Sequence, residues 1–288
     1  MTNPAKADWL AVEWFENRLS VWAMQGSTVL DTATGAAIGD SVDALIQSLT
    51  QLVASWGLSA RLPTVVAGWP EAAWRAVPCS AVADKTAAQP DENFNLQFIP
   101  GLRQSEPSGL LHGAETRIAG FLSLNKDWDG VICLPGATSV WAQVSAGEVV
   151  SFQGFLTGEL IATLGADGPA PENTALDDTA FDEALSDGLS RPERLAGRLA
   201  SLRADRMIGD MPAPTVQARL AGTLIGAELA AARPYWLGQS LAVIGPEAEA
   251  SLYMRALAQQ GAPATQADAK RMALAGICAV RRATTGAG

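Results

Sequence analysis

Apolar residues at the start of the chain come in short runs separated by polar turns, with no helical spacing. Residues 10–12 read as a strand, 13–18 as a polar turn and 19–24 as a second strand. Gln25-Gly26-Ser27 then turns the chain into a third strand at 28–30. The same order returns at 129–160. There 131–134 is an apolar strand bounded by Pro135-Gly136, 139–144 a second strand and, after a turn near 145–147, 149–152 a third. Thr157-Gly158-Glu159 opens a helix, with Thr as an N-cap and Glu at the positive end of the dipole. The tetrapeptide Ser-Val-Trp-Ala falls in both second strands, at 20–23 and 139–142. This placement predicts a duplication, with domains at 1–127 and 128–288 and the last helix able to pack back on the first domain.

Between and after the meanders the period lengthens. Val42, Leu45, Ile46, Leu49, Val53 and Trp56 share one helical face behind the cap candidates Asp40 and Ser41. A short strand at 64–67 ends at Gly68, while 83–95 and 101–109 read as loops around an extended 97–100. Residues 113–124 form a helix, and 165–173 an exposed Gly/Pro-rich loop. Further helices are expected at 179–189, 192–207, 214–232, 247–260 and 269–281, with strands at 241–244 and 264–266. Ser190 and Glu193 stand in capping-box spacing around Pro192. Alternating strands and helices beside two meanders indicate mixed sheets covered by helices, an α/β fold.

Composition narrows the partners. The 288 residues carry a net charge of −10, which argues against nucleic acid or an anionic membrane as main partner but leaves room for a small anion held by backbone N–H groups. Cys79, Cys133 and Cys278 are scattered and odd in number, as free thiols in a reducing cytoplasm would be. The first residues lack the apolar core of a signal peptide, and no apolar run is long enough to span a bilayer. Ala221, Gly222, Gly226 and Ala230 would admit a second backbone, which is compatible with a homo-oligomer.

Leu156-Thr157-Gly158-Glu159-Leu160 and the run from Leu220 to Glu228 resemble the 2-dehydro-3-deoxygalactonokinases. Weaker matches are Ile99-Pro100-Gly101-Leu102, Gly113-Ala114-Glu115-Thr116-Arg117 and Pro135-Gly136. The resemblance spans nearly the whole chain. It implies two duplicated ribonuclease H-like (actin-like ATPase) domains, each a mixed sheet led by a three-strand meander, with a cleft between them. It also implies transfer of the γ-phosphoryl of Mg-ATP to the terminal hydroxyl of 2-dehydro-3-deoxygalactonate, a small anionic sugar acid. The acids it points to are Glu159, Glu115 and Glu13, with Glu13 also the metal candidate. Trp14, Asn17, Gly136, Thr138 and Gly245 fall where such kinases hold the nucleotide, and Gly68, Gly113, Thr157 and Gly158 where they hold substrate.

Four ligand-facing elements depart from the family pattern. Where the first hairpin usually reads Asp-Trp-Gly and two small hydroxyl residues, this chain has Glu13-Trp14-Phe15-Glu16-Asn17. Phe15 in place of Gly would be strained at positive φ, and Glu16 sets a negative charge near the phosphate position. The Pro-Gly-Thr-His-x-Lys-Trp of the second hairpin becomes Pro135-Gly136-Ala137-Thr138-Ser139-Val140-Trp141. One acid is lost before Glu115, and Trp69-Pro70-Glu71 replaces a Gly/Ser-rich loop. The alternative is a relative that binds a sugar acid or a protein partner without phosphoryl transfer. Glu159 and Glu115 also suit a helix's first turn on dipole grounds alone, and Gly136 and Gly245 suit ordinary turns. His112, the only histidine, reads as a loop or capping residue, and the meander tryptophans as core.

Overall fold

A computed structural model of the chain describes residues 3–59, 61–165, 176–209 and 211–286. The loop expected at 165–173 lies, from 166 onward, outside the described residues. The chain groups into two compact units. One holds the residues up to Asp129, the hairpin tip Val144–Ser151 and the segment from Asp268; the other holds Gly130–Gln143 and Phe152–Ala267.

The elements are, in order, β1 (Trp9–Phe15), β2 (Arg18–Gln25), β3 (Thr28–Ala36), α1 (Val42–Leu52), β4 (Leu62–Ala67), β5 (Trp74–Ala76), β6 (Cys79–Ser80), β7 (Ala87–Pro90), β8 (Phe94–Phe98), β9 (Gly101–Ser105), β10 (Ser108–Leu111) and α2 (Ala114–Leu124). Then come β11 (Gly130–Leu134), β12 (Ser139–Ser145), β13 (Glu148–Phe155), α3 (Thr157–Gly165), α4 (Asp178–Ser190), α5 (Leu195–Ile208), α6 (Ala213–Ala231) and α7 (Arg233–Trp236). The chain ends with β14 (Leu241–Gly245), α8 (Glu247–Gln259), β15 (Ala264–Asp268) and α9 (Ala269–Thr285).

In the first unit the sheet order is β3-β2-β1-β4-β8-β7. The meander is antiparallel, β1, β4 and β8 run parallel, and β7 closes the edge antiparallel to β8. Period-2 alternation sends Leu10, Val12, Leu19 and Val21 to one face, where they meet Leu45 and Leu49 of α1. Trp9, Ala11, Trp22 and Met24 go to the other, against Ile277 and Val280 of α9. Ser41 caps α1 by accepting the Ala44 N–H. In the second unit the order β15-β14-β11-β12-β13 repeats the meander followed by a parallel strand, since β11 pairs in parallel with β14. Both Ser-Val-Trp-Ala segments sit on the middle strand of a meander, as the duplication predicts.

Several local expectations are corrected. Glu13 and Trp14 belong to β1 and not to a turn, because the ladder continues through Glu13↔Ser20 and Phe15↔Arg18. Residues 101–109 form most of a β9–β10 hairpin that joins β5 in a three-stranded sheet, and 87–90 form β7. These strands are short and half solvated, so they show too little alternation to read. The expected capping box at Ser190 does not form. Arg191 precedes the 3-10 turn without a side-chain cap, and the Ser190 hydroxyl donates to the Asp187 carbonyl. The small residues of α6 serve the chain's own packing, since side chains at Gly222 and Gly226 would strike the Phe181 and Leu185 carbonyls of α4.

Both meanders turn through two residues at positive φ: Glu16 (49°) and Asn17 (58°) in the first, Ala146 (50°) and Gly147 (78°) in the second. Such loops favour Asn-Gly because both central residues are left-handed. Replacing the exposed Ala146 by Asn is expected to raise the unfolding free energy by roughly 0.5–1 kcal/mol. Urea unfolding of Ala146→Asn against the parent checks this, and a lower midpoint would contradict it.

Candidate active site

In the first unit the candidates gather at the carboxyl ends of β1 and β4, where Glu13 pairs with Ala67 and Gly68 follows directly. Ligands of parallel α/β sheets commonly bind beyond such ends. Gly68 (φ 78°) and Gly113 (φ 81°) face each other beside the Trp14 carbonyl, and a side chain at Gly68 would run into that oxygen. Only glycine fits this approach. Trp14 turns its ring into the core, edge-on to Trp69 at 5.2 Å, so it offers backbone and no indole face here. Asn17 is exposed in the hairpin turn.

Glu13 is 3% exposed and accepts from Arg117 Nε at 2.8 Å. The Arg117 guanidinium lies 3.7 Å from the centre of the Phe15 ring. Phe15 is not at positive φ; the left-handed residues are Glu16 and Asn17, so the strain expected at Phe15 does not arise. The aromatic ring screens the ion pair instead.

Glu115 lies in the first turn of α2 and is 1% exposed. Its Oε1 accepts from the Gly113 N–H at 3.0 Å and the Thr116 hydroxyl at 3.1 Å. Its Oε2 is buried without a partner among the described residues. Burial pushes its pKa up to about 7, against the pull of nearby N–H groups, the Thr116 hydroxyl and the Arg75 charge. Arg75 Nε and His112 Nε2 are likewise buried and unpartnered. His112 is no cap: its ring stacks on Trp74 at 4.2 Å, and burial lowers its pKa, favouring the neutral imidazole. An unsatisfied buried polar group costs about 1–3 kcal/mol, so each of these atoms calls for a partner such as an ordered water or a ligand.

In the second unit Gly245 ends β14 against Pro135. The loop after Pro135 lies under the start of α3: the Glu159 N–H donates to the Ala137 carbonyl at 2.8 Å, and a side chain at Gly158 would strike the Gly136 carbonyl. The Glu159 side chain is exposed, as is Thr138. Thr157 is the first residue of α3. Its hydroxyl goes to Glu228, a buried acid of α6 that also accepts from Ser139 Oγ (2.7 Å), Trp141 Nε1 (2.7 Å) and Tyr253 OH (2.8 Å). Burial raises the Glu228 pKa while these donors pull it down.

Arg117 and Glu228 escaped the site reading of the sequence. Their signal was present: each is isolated among apolar and small neighbours, Glu228 as the single charge in 220–229 and Arg117 as the one base in 114–124. Among the described residues no three His, Cys, Asp or Glu side chains gather in a metal-type cluster. No described helix is long and apolar enough to cross a membrane.

The meander-led sheets define a two-unit α/β protein of the ribonuclease H-like, actin-like type. The same fold is found in a Clostridium difficile activator of 2-hydroxyisocaproyl-CoA dehydratase, solved with bound ADPNP, at a TM-score of 0.57 and 10% identity over 96% of this chain and 95% of that one. The family model for 2-keto-3-deoxy-galactonokinase matches residues 14–280, and the chain belongs to that family. It is 27% identical to a probable 2-dehydro-3-deoxygalactonokinase, DgoK1, of Rhizobium meliloti (strain 1021), covering 95% of this chain and 96% of the relative. It is also 27% identical to the 2-dehydro-3-deoxygalactonokinase of Escherichia coli (strain K12), covering 96% and 98%. A crystal structure of a candidate 2-dehydro-3-deoxygalactonokinase from Sinorhizobium meliloti superposes with a TM-score of 0.85 at 25% identity, over 97% of this chain and 98% of that one.

Two outcomes follow from the buried acids. Glu228→Ala strands its donors and should lower the unfolding free energy by about 3–5 kcal/mol, read by denaturant unfolding. A loss below about 1 kcal/mol would show that the network adds no net stability. For Glu115 the folded-state pKa is raised, so the folded form prefers the proton. Stability is therefore highest at low pH and falls as pH rises from 4.5 through about 7. Glu115→Gln should flatten that fall, worth on the order of 3 kcal/mol, in unfolding measured from pH 4.5 to 8.

Proposed function

We infer that this chain is a sugar-acid kinase that transfers the γ-phosphoryl of Mg-ATP to the terminal hydroxyl of 2-dehydro-3-deoxygalactonate or a close relative. The observation that carries this reading is the family match across residues 14–280. On this reading residues 1–127 and 128–288 are the two kinase domains, with the last helix packed back on the first, and the protein works in the cytoplasm.

Mg-ATP, when bound, supplies the phosphoryl group and the charge that balances it. Glu13 gives one oxygen to Arg117, so at most part of one carboxylate is left for the metal. That suits Mg²⁺, which keeps several waters and takes one or two carboxylates besides the nucleotide's own phosphates. The backbone of Trp14 and Asn17, with Gly136, Thr138 and Gly245, would face the nucleotide. By the resemblance, Gly68, Gly113, Thr157 and Gly158 would lie at the acceptor, and the exposed Glu159 would orient it. Glu115 Oε2 takes the proton from the acceptor hydroxyl as its oxygen bonds to phosphorus and the bond to ADP breaks. A carboxyl with a pKa of about 7 is well matched to that proton transfer near neutral pH. The altered first hairpin does not favour a binding-only relative, because its left-handed turn is carried by Glu16 and Asn17 without strain at Phe15.

The test is ADP release with Mg-ATP and a panel of 2-keto-3-deoxy sugar acids. Turnover should depend on the sugar acid, and kcat should rise with pH through about 7 as Glu115 ionises. Glu115→Gln should lower kcat about 10²- to 10⁴-fold and remove that limb of the profile. A folded protein with no sugar-acid-dependent turnover overturns the reading.

A further inference from the structure

The buried acid of the second unit takes no part in the phosphoryl transfer, yet its partners border the loop that would face the nucleotide. That loop, Gly136–Thr138, runs from Pro135, just past β11, to Ser139, which opens β12. Ala137 and Thr138 are exposed, while Pro135 and Ser139 are buried. Ser139 Oγ donates to Glu228 Oε2 at 2.7 Å, on the same oxygen that takes the Tyr253 hydroxyl at 2.8 Å. Glu228 Oε1 takes the Trp141 indole N–H at 2.7 Å. The Thr157 hydroxyl, at the start of α3, bonds to the same carboxylate.

One acid thus joins the exit of the loop to the helix that lies against it. Ser139 and Thr157 share Glu228, and α3 in turn closes on the loop. The Glu159 N–H donates to the Ala137 carbonyl at 2.8 Å, and a side chain at Gly158 would strike the Gly136 carbonyl. A loop that offers backbone N–H groups to phosphate gains affinity when its shape is set before the ligand arrives. Hydrogen bonds to an ionised group are roughly twice as strong as neutral ones, so a carboxylate is well suited to set it. Ser139 and Glu228 are 0% and 3% exposed, so any effect of either on a ligand must pass through the loop.

We propose that Glu228 is a positioning residue for nucleotide binding, which through Ser139 and Thr157 holds the loop Gly136–Thr138 against the start of α3. The proposal rests on the kinase reading above and adds a residue that the reacting groups do not touch. Glutamine in its place keeps the shape. The Trp141 N–H can only donate, so the amide oxygen must face it, which turns the amide nitrogen toward Ser139 and Tyr253. Both hydroxyls then accept a neutral hydrogen bond, and the Ser139 proton turns to the Phe155 carbonyl, 3.4 Å away. The loop is left on weaker ties.

Calorimetric titration of Mg-ATP into the full chain tests this without requiring turnover. Ser139→Ala and Glu228→Gln should each weaken binding about 10-fold, and the two together should lose about as much as one alone. Tyr253→Phe removes a donor from the same carboxylate oxygen, but one that comes from α8 and not from the loop, so its Kd should match the parent's. In the ADP-release assay Ser139→Ala should raise the KM for ATP about 10-fold and leave the KM for the sugar acid in place. Equal binding by the parent and Ser139→Ala, or equal weakening by all three variants, would mean a structural role and overturn the proposal. Should Glu228→Gln not fold, as seen by its thermal melt, the contrast between Ser139→Ala and Tyr253→Phe decides alone. If the parent binds Mg-ATP but phosphorylates no acid, the kinase reading fails by itself, and the titrations still decide the positioning role. No binding by the parent overturns both.

Discussion

A carboxylate taken out of water must be answered by donors, and each unit is tied together around one such group. In the first, Glu13 on β1 meets Arg117 on α2, with both side chains almost fully buried. In the second, Glu228 on α6 collects hydroxyls and an indole N–H from β12, α3 and α8. Neither acid can leave without stranding its partners, and a stranded buried group is the expensive outcome. The strand-to-helix junctions that carry the candidate residues are therefore fixed by electrostatics as much as by apolar packing.

Glu115 shows the contrast. It stands two residues before Arg117 and is as buried as Glu13, yet only one of its oxygens is answered. A stability-optimised core would complete that bonding or remove the acid. Leaving an oxygen open in a buried site gives up stability for affinity toward something polar. This incompleteness separates a group that holds the fold from one that meets a ligand, although both are glutamates on neighbouring elements.

Much of this architecture was legible because the repeat is carried by period and turn chemistry. Two meanders, the Ser-Val-Trp-Ala pair and helices such as α1 and α6 declare themselves from residue spacing alone. What stayed hidden lies in 74–111. There β5, β7, β9 and β10 bury few residues each, Leu102 and Leu111 among them, so no alternation runs long enough to read. The site was legible in its acids and glycines but not in their partners. Pairing Glu13 with Arg117 requires contact across 104 positions, and Glu228 with Ser139 across 89. Likewise, nothing local shows that His112 will lie on Trp74.

The altered first hairpin illustrates why motif erosion and structural loss differ. A glycine replaced by Phe15 would be damaging if that residue still had to adopt positive φ. The turn is instead made by Glu16 and Asn17, next to a strand that runs on through Phe15. The phenyl ring then has somewhere to go: it lies over Arg117 and helps exclude water from the Glu13 pair. Phe15 thus covers a buried ion pair, while the positive φ angles fall to Glu16 and Asn17. The scaffold persists because its constraints are geometric and electrostatic, and different residues can satisfy both.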